Sequence, residues 1–184
     1  MKSKAHIFWC TGMSGSGKST LAEHAKVKLE RLGFTVLIID GDVVREQYDA
    51  QLGFGREDVE KNNLYVAKLC ESERYNYDVI LVPIISPINS VRSTIRSLLS
   101  PCYHLVYIYT DIETLKKRDT KGLYKKADDG EITDLIGYSK SNQYDIPKDY
   151  DLMVDTEKQS NIEKSKQAFS NFVNSKVVEP SVLL

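Results

Sequence analysis

A glycine-rich motif, placed between a strand signal and a helix signal, constrains this chain more than any other feature. Residues 12–19 read Gly-Met-Ser-Gly-Ser-Gly-Lys-Ser, which matches the pattern G-x-x-x-x-G-K-[ST]. The β-rich run His6–Thr11 precedes the motif, and the amphipathic segment Lys18–Leu32 follows it. Glycines let backbone N–H groups converge on phosphate oxygens that a Cβ would obstruct. A chance Gly/Ser-rich turn is the alternative, but the flanking strand and helix favour a phosphate-binding loop.

The residues of this loop predict ATP binding. Lys18 is expected to reach the β- and γ-phosphates, and Ser19 to hold Mg²⁺, while the helix N-terminus adds partial positive charge. No Asn-Lys-x-Asp element, which reads guanine, occurs in the sequence, so a GTPase switch is not indicated. The residues predicted to bind ATP or its phosphates through this loop are Gly12, Ser14, Gly15, Ser16, Gly17, Lys18, Ser19 and Thr20.

Strand and helix signals alternate along the rest of the chain. Strands are predicted at His6–Thr11, Thr35–Asp40, Val79–Ile85, Leu105–Thr110 and Leu152–Asp155. Helices are predicted at Lys18–Leu32, Glu57–Tyr75 and Ser160–Val173. Nearly continuous apolar strands are typical of parallel sheets covered on both faces. The pattern therefore predicts an α/β, P-loop NTPase-like, three-layer fold with a parallel sheet of roughly five strands.

The length of 184 residues fits one domain, which we expect at 1–176, followed by a C-terminal tail at 177–184. Within that domain the polar segment 119–150 lacks clear periodicity, and connections of this length are often functional lids. We therefore predict a lid at about 119–150. The apolar tail either docks on a surface or is a frayed terminus.

Charge and cysteine usage argue against a nucleic-acid coat protein, a membrane-anchored protein and a cysteine-based metal site. The 25 basic and 26 acidic residues give a net charge of −1, which argues against a nucleic-acid coat or a polybasic membrane anchor. No apolar stretch is long enough to span a membrane. Cys10, Cys70 and Cys102 lack metal-site spacing and are interpreted as buried, reduced thiols rather than a reactive site. We expect a cytoplasmic protein with neither nucleic-acid nor membrane partners.

Polar side chains follow the second and third predicted strands, at the sheet edge where ligands bind such folds. Asp42 is the candidate general base for an acceptor hydroxyl, and Asp40 supports it or holds a water on Mg²⁺. An Asp-Gly turn with a helix N-cap is the structural alternative. The third strand ends in Ile85-Ser86-Pro87, without the acidic residue that often completes the metal site of P-loop enzymes.

Several segments together resemble the adenylyl-sulfate (APS) kinase family over nearly the whole chain. The matching segments are 12–20, Asp40-Gly-Asp-Val-Val-Arg45, Leu52-Gly-Phe54, Ile85-Ser-Pro87, Arg118-Asp-Thr-Lys-Gly-Leu-Tyr-Lys-Lys126 and Val154-Asp-Thr156. The Lys-Gly-Leu-Tyr-Lys-Lys segment in the lid is more diagnostic than the phosphate-binding loop. The resemblance implies an enzyme that transfers the γ-phosphate of ATP to the ribose 3′-hydroxyl of APS.

The resemblance also implies roles for individual residues. Phe54 would stack on the acceptor base, Asn62 would add a hydrogen bond, and Arg118 would pack against the ATP adenine, with Thr156 also on the ATP side. The implied catalytic residues are Asp42, Lys18, Asp40, Ser86 and Lys121. The implied acceptor-binding residues are Asp42, Arg45, Phe54, Asn62, Ile85, Ser86, Lys121 and Leu135. Phe54 could instead be a core residue, and Arg45 and Arg118 could be solvated helix charges. Members of the family are often dimers, so a homodimer is one expectation.

The acceptor side departs from the family pattern. Val43 stands where the family has Asn, Leu135 stands where it has the Phe that forms one wall of the adenine sandwich, and three expected arginines near 58–65 are missing. These changes lead to an alternative hypothesis, in which an APS-kinase-like enzyme phosphorylates a different nucleotide conjugate, such as cytidine diphosphoramidate. A non-catalytic nucleotide-binding regulator is a third hypothesis, which the retention of Lys18, Ser19 and Asp42 opposes.

Overall fold

The computed structural model describes residues 4–47, 52–157 and 162–178 of the chain. Five parallel strands form one sheet in the order β2-β3-β1-β4-β5. The strands are β1 (His6–Thr11), β2 (Val36–Ile38), β3 (Val79–Ile84), β4 (Tyr103–Tyr109) and β5 (Leu152–Asp155). The predicted fold class and strand number are confirmed. The end of the chain beyond residue 178, which includes most of the predicted tail, lies outside the described residues.

Helices cover both faces of the sheet, as a parallel sheet requires. They are α1 (Lys18–Arg31), α2 (Gly41–Glu46), α3 (Arg56–Glu73), α4 (Asn89–Leu99), α5 (Ile112–Arg118), α6 (Leu123–Asp128) and α7 (Ile162–Val177). The second predicted strand is shorter than expected, because the chain after Ile38 leaves the sheet to enter α2. Sequence reasoning did not assign α4, α5 or α6. The start predicted for α7, at Ser160, lies outside the described residues.

Alternating strand residues divide the core into two apolar layers. Trp9 faces the layer formed with α3 and α4, where it packs near Val66 and Ile95. Phe8 faces the opposite layer formed with α1 and α7, near Leu21 and Phe169. Because the strands are anchored on both faces, the loops at their carboxyl ends are held on a rigid base.

The three cysteines are free thiols, as predicted, but Cys102 is only partly buried. Cys10 and Cys70 are buried, and burial raises the pKa of each thiol to about 12. Within the described residues no helix has both the length and the apolar character needed to cross a membrane.

The segment predicted as a lid contains α6 and a 3-10 turn at Lys140–Asn142. It has an apolar cluster of its own, in which Tyr124 and Leu135 pack with Leu115 of α5. The Tyr124 hydroxyl donates to the Ser14 carbonyl at 2.7 Å, which attaches the segment to the loop after β1. The boundaries 119–150 and the lid function stay predictions.

Candidate active site

The loop between β1 and α1 has the backbone conformation that its glycines permit. Gly15 and Gly17 have φ of 78° and 93°, in the left-handed region that other residues rarely adopt. A Cβ on Gly12 would come within 2.5 Å of the Ile108 carbonyl oxygen, so Gly12 allows the loop to lie against β4. These three positions need glycine, and the loop then opens directly into the N-terminus of α1.

Lys18 begins α1 and is 9% exposed. Its Nζ donates to the Met13 carbonyl at 2.8 Å, across the loop. Burial lowers the pKa of the ammonium to about 8, and the carboxylates of Asp42 and Asp40 oppose that shift. Lys18 therefore stays charged at neutral pH and lies where it can exchange a carbonyl for a phosphate oxygen.

Asp40 joins the phosphate-binding loop to α2. Its Oδ2 accepts from the Ser19 hydroxyl at 2.9 Å, and its Oδ1 accepts from the Asp42 backbone N–H at 2.9 Å, as an N-cap does. The N-cap alternative is thus confirmed, and it coexists with a position beside Ser19. Gly41 packs against Ile84 so closely that a Cβ would clash, which holds the start of α2 against the end of β3.

Asp42 and Lys121 form an ion pair between α2 and the segment before α6. Lys121 Nζ lies 2.9 Å from Asp42 Oδ2, and both side chains are about 60% exposed. The hydrogen bond that Lys121 donates to Asp42, together with the negative charge of Asp42, raises the pKa of Lys121 above its ordinary value. A carboxylate and an ammonium thus face solvent together at the open edge of the sheet.

Two cavities meet at this ion pair. One, of about 320 Å³, adjoins the phosphate-binding loop; its walls include Ser14, Gly15, Gly17, Lys18, Ser19, Thr20 and Asp40. The other, of about 470 Å³, extends under the lid segment; its walls include Arg45, Phe54 and Leu135. Both cavities are lined by Ser14, Asp42, Ile85 and Lys121. The arrangement suits a reaction between two ligands whose reacting groups meet beside Asp42.

Phe54 and Arg45 form one wall of the larger cavity. Phe54 is 51% exposed, so the alternative that it is a core residue is wrong. The Arg45 guanidinium lies 5.3 Å from the centroid of the Phe54 ring, and its Nη1 donates to the Gly53 carbonyl at 2.5 Å. The guanidinium therefore braces the ring from one side. These two contacts show that Arg45 is not a freely solvated helix charge.

Ser86 and Asn62 are buried behind the same cavity. Ser86 has φ of 46°, a conformation uncommon for a residue with a side chain, which often accompanies a functional position. Its carbonyl accepts from the Thr11 hydroxyl at 3.1 Å and from the Arg92 guanidinium, which fixes the turn after β3. The Asn62 amide donates to the Gly41 carbonyl at 3.3 Å, as expected for an inward-facing polar residue that needs a partner.

Other predicted site residues lie away from both cavities. Thr156 is buried, and its hydroxyl donates to the Ser16 carbonyl at 2.8 Å, so it supports the loop from beneath. The Arg118 guanidinium donates to the Thr156 carbonyl and, at 3.1 Å, to the Glu157 carbonyl. These backbone contacts hold it against the chain after β5, and its contact with adenine stays a prediction.

Sequence reasoning missed three buried residues that shape the site. Asn63 is 2% exposed, Asn142 is 1% exposed and Arg92 is 3% exposed. Arg92 also stacks 5.5 Å from the ring centroid of Tyr144, and so links the end of the lid segment to Ser86. Of the three, Asn63 had a signal in the sequence. It is one of two adjacent asparagines within an otherwise amphipathic helix, and a buried amide needs a partner.

Comparison with known proteins places these features in context. The family model described as adenylylsulphate kinase matches residues 4–155. An adenylyl-sulfate kinase of Bacillus licheniformis is 37% identical over 154 residues, covering 83% of this chain and 77% of that protein. One from Clostridium kluyveri is 33% identical over 173 residues, covering 94% and 85%. The structure of the Mycobacterium tuberculosis APS kinase in complex with AMPPNP and APS is 30% identical, with a TM-score of 0.83, and covers 94% of this chain and 99% of that one.

Proposed function

The chain belongs to the adenylylsulphate kinase family, and from that premise we propose that it transfers the γ-phosphoryl group of ATP to the ribose 3′-hydroxyl of adenylyl sulfate. The products are ADP and the 3′-phosphorylated adenylyl sulfate. The observation that carries this proposal is the meeting of the phosphate cavity and the larger cavity at Asp42 and Lys121. ATP would occupy the first cavity and the acceptor nucleotide the second.

Each residue at the junction has a role that its position supports. Asp42 accepts the proton of the attacking 3′-hydroxyl, which then bonds to the γ-phosphorus as the bond to the β,γ-bridging oxygen breaks. Lys121 and Lys18 place positive charge beside the oxygens on which charge develops. The ion pair with Lys121 holds the Asp42 carboxylate at the junction of the two cavities.

Mg²⁺ fits the oxygen donors of the loop. The Ser19 hydroxyl lies against the Asp40 carboxylate, and hydroxyl and carboxylate oxygens are ligands that Mg²⁺ prefers. Ser19 would hold the ion, and Asp40 would accept a hydrogen bond from one of its waters. When bound, the ion neutralises charge on the phosphate oxygens.

We retain adenylyl sulfate as the acceptor despite the departures noted in the sequence. Leu135, which replaces an aromatic wall, lines the cavity and is 8% exposed because it also packs with Leu115 and Tyr124. Phe54 supplies one aromatic face to the same cavity. The relatives are named for adenylyl sulfate, so the cytidine diphosphoramidate alternative is not favoured.

A coupled ADP-release assay tests the proposal. We expect adenylyl sulfate to be turned over with kcat/KM of about 10⁴ M⁻¹s⁻¹ or higher. The Lys18→Ala protein serves as the control and should lose phosphoryl transfer. Turnover of cytidine diphosphoramidate, with none of adenylyl sulfate, would move the proposal to the alternative acceptor; turnover of neither would revive the regulator hypothesis.

A further inference from the structure

Three buried polar atoms next to the acceptor cavity lack a hydrogen-bond partner among the residues that the structure describes. They are Asn62 Oδ1, Asn63 Oδ1 and Ser86 Oγ. Their residues are at most 2% exposed, so bulk water does not solvate them. Buried polar atoms in folded proteins are almost always paired, with protein or with an ordered water. Three such atoms in neighbouring residues point to a shared partner.

The three residues line one small cavity. The rest of its walls come from apolar and active-site residues, namely Gly41, Asp42, Arg45, Val59, Ile84, Ile85 and Ile136. Its volume is about 10 Å³, measured as space for the centre of a water-sized sphere. A cavity of roughly 10–15 Å³ on this measure holds one water, provided that two to four polar groups are there to bind it.

The hydrogen-bonding direction of each group is fixed by its other contacts. Asn62 Nδ2 donates to the Gly41 carbonyl at 3.3 Å, and Asn63 Nδ2 donates to the Val59 carbonyl at 2.9 Å. Because carbonyls only accept, both amides are held with Oδ1 as a free acceptor. The Ser86 hydroxyl supplies one donor. Two acceptors and one donor match the two protons and a lone pair of one water molecule.

We propose that a single water binds in this cavity, donating to Asn62 Oδ1 and Asn63 Oδ1 and accepting the proton of the Ser86 hydroxyl. Asn63 is then a positioning residue for Ser86. The backbone of Ser86 is held by Thr11 and Arg92, and the water fixes the remaining freedom, which is rotation of the hydroxyl. With its proton committed to the water, the Ser86 hydroxyl is held in one orientation. The water also fills the space between Ser86 and two residues of the acceptor-cavity wall, Arg45 and Ile136.

A crystal structure of the protein at about 1.5 Å resolution tests the water directly, without any substrate. We expect one ordered peak within hydrogen-bond distance, roughly 2.6–3.2 Å, of all three atoms. An empty cavity, or a rearrangement in which the three atoms pair with protein groups, would overturn the proposal. Because this measurement needs no turnover, its result is independent of the proposed function.

Kinetics of Asn63→Leu test the positioning role, which rests on the proposed function. Leucine is similar in size, removes the acceptor and displaces the water. Arg45 and Ile136 line both this cavity and the acceptor cavity but not the phosphate cavity, so loss of the water disturbs acceptor binding alone. We expect the adenylyl sulfate KM to rise about three- to tenfold, with kcat and the ATP KM nearly unchanged. Asn63→Ser restores a polar group and space for water, and should recover part of the loss.

Asn174→Leu on α7 is the matched control. Asn174 also has an unpaired Oδ1 among the described residues, but it lines a separate cleft between α1 and α7. We expect its acceptor KM to equal that of the unmodified protein. If the water is absent from the Asn63→Leu crystal and the acceptor KM is unchanged, the positioning role is refuted. If the water is still present in that crystal, Asn63 is not one of the groups that bind it. If Asn63→Leu does not fold, Asn63→Ser and the structure of the unmodified protein decide the question.

Discussion

At the scale of single residues, Asp42 stands at the centre of the proposed chemistry, because it borders both cavities and pairs with Lys121 at 2.9 Å. Asp42→Asn keeps its shape but removes the charge that accepts a proton. We expect kcat to fall by about 10²–10⁴-fold while the ATP dissociation constant stays within a few-fold. Steady-state ADP release and calorimetric ATP titration measure the two quantities. A kcat near that of the unmodified protein would remove Asp42 from the role of base.

Phe54 provides a second test at this scale. Its exposed ring is braced by Arg45, and base–aromatic stacking contributes about 1–3 kcal/mol. Phe54→Ala should therefore raise the adenylyl sulfate KM about 5- to 150-fold and leave the ATP KM unchanged. Phe54→Tyr retains the ring and is the control. Equal acceptor KM values for Phe54→Ala and the control would show that the ring does not stack on the base.

Residues whose role follows from local chemistry were predictable from the sequence. Lys18 and Ser19 belong to a contiguous motif, and Asp42 follows a strand whose carboxyl end had to meet that motif. Asn142 was not predictable, because its partner, the Phe54 carbonyl, is distant along the chain. Arg118 illustrates the same limit, since its backbone partners at Thr156 and Glu157 come from beyond the lid segment.

At the scale of elements, the segment 119–150 reads as polar and aperiodic, yet it contains a helix and an apolar cluster. Its apolar residues are spaced irregularly, so Tyr124 and Leu135 meet only after the chain has turned at Gly130. The Asp119 carboxylate accepts from the backbone N–H groups of Tyr124 and Lys125, which caps α6 and replaces a conventional N-cap signal. Such a structure depends on turn geometry that periodicity does not detect.

Asn142 connects this segment to the acceptor wall. Its Nδ2 donates to the Phe54 carbonyl at 2.7 Å from within the 3-10 turn. Asn142→Ala removes the donor that holds the Phe54 carbonyl. We therefore expect the adenylyl sulfate KM to rise about three- to tenfold, with little change in the ATP KM. Ser141→Ala, an exposed neighbour in the same turn, is the matched control. Equal acceptor KM values for the two variants would show that this hydrogen bond does not position Phe54 for acceptor binding.

At the scale of the whole molecule, the alternation of strands and helices was sufficient to predict the parallel sheet, because continuous apolar strands need cover on both faces. It was not sufficient for α4, whose Ser, Thr and β-branched residues have weak helix propensity. Val91, Ile95 and Leu99 recur every four residues and are buried against the sheet, so packing stabilises a helix that local preference does not favour. The homodimer and the cytoplasmic location stay predictions.

A pair of histidines at the end of the sheet opposite the active site links the stability of the whole fold to pH. His6 Nδ1 and His104 Nε2 are 3.0 Å apart, and the rings stack at 5.3 Å. His104 also stacks on Phe8 and meets Phe172 of α7 edge-on. Burial lowers the pKa of His104 from 6.5 to about 4, with His6, Lys176 and Arg96 adding to the shift and Asp151 opposing it.

The sign of the effect follows from proton binding. Below pH 6.5 the unfolded chain protonates His104, whereas the folded protein resists protonation until about pH 4. The unfolded state thus binds more protons in this window, so the free energy of unfolding falls as the pH decreases through it. Since His104 is only half-buried, we expect a loss of about 1–2 kcal/mol. His104→Phe should flatten the dependence of Tm on pH between 6.5 and 4.5. His24→Gln, on α1 outside the stack, should flatten it less, although burial, Lys28 and Lys166 also lower the pKa of His24. Parallel curves for His104→Phe and the unmodified protein would contradict the assignment, because the stability lost on acidification would then arise from other groups.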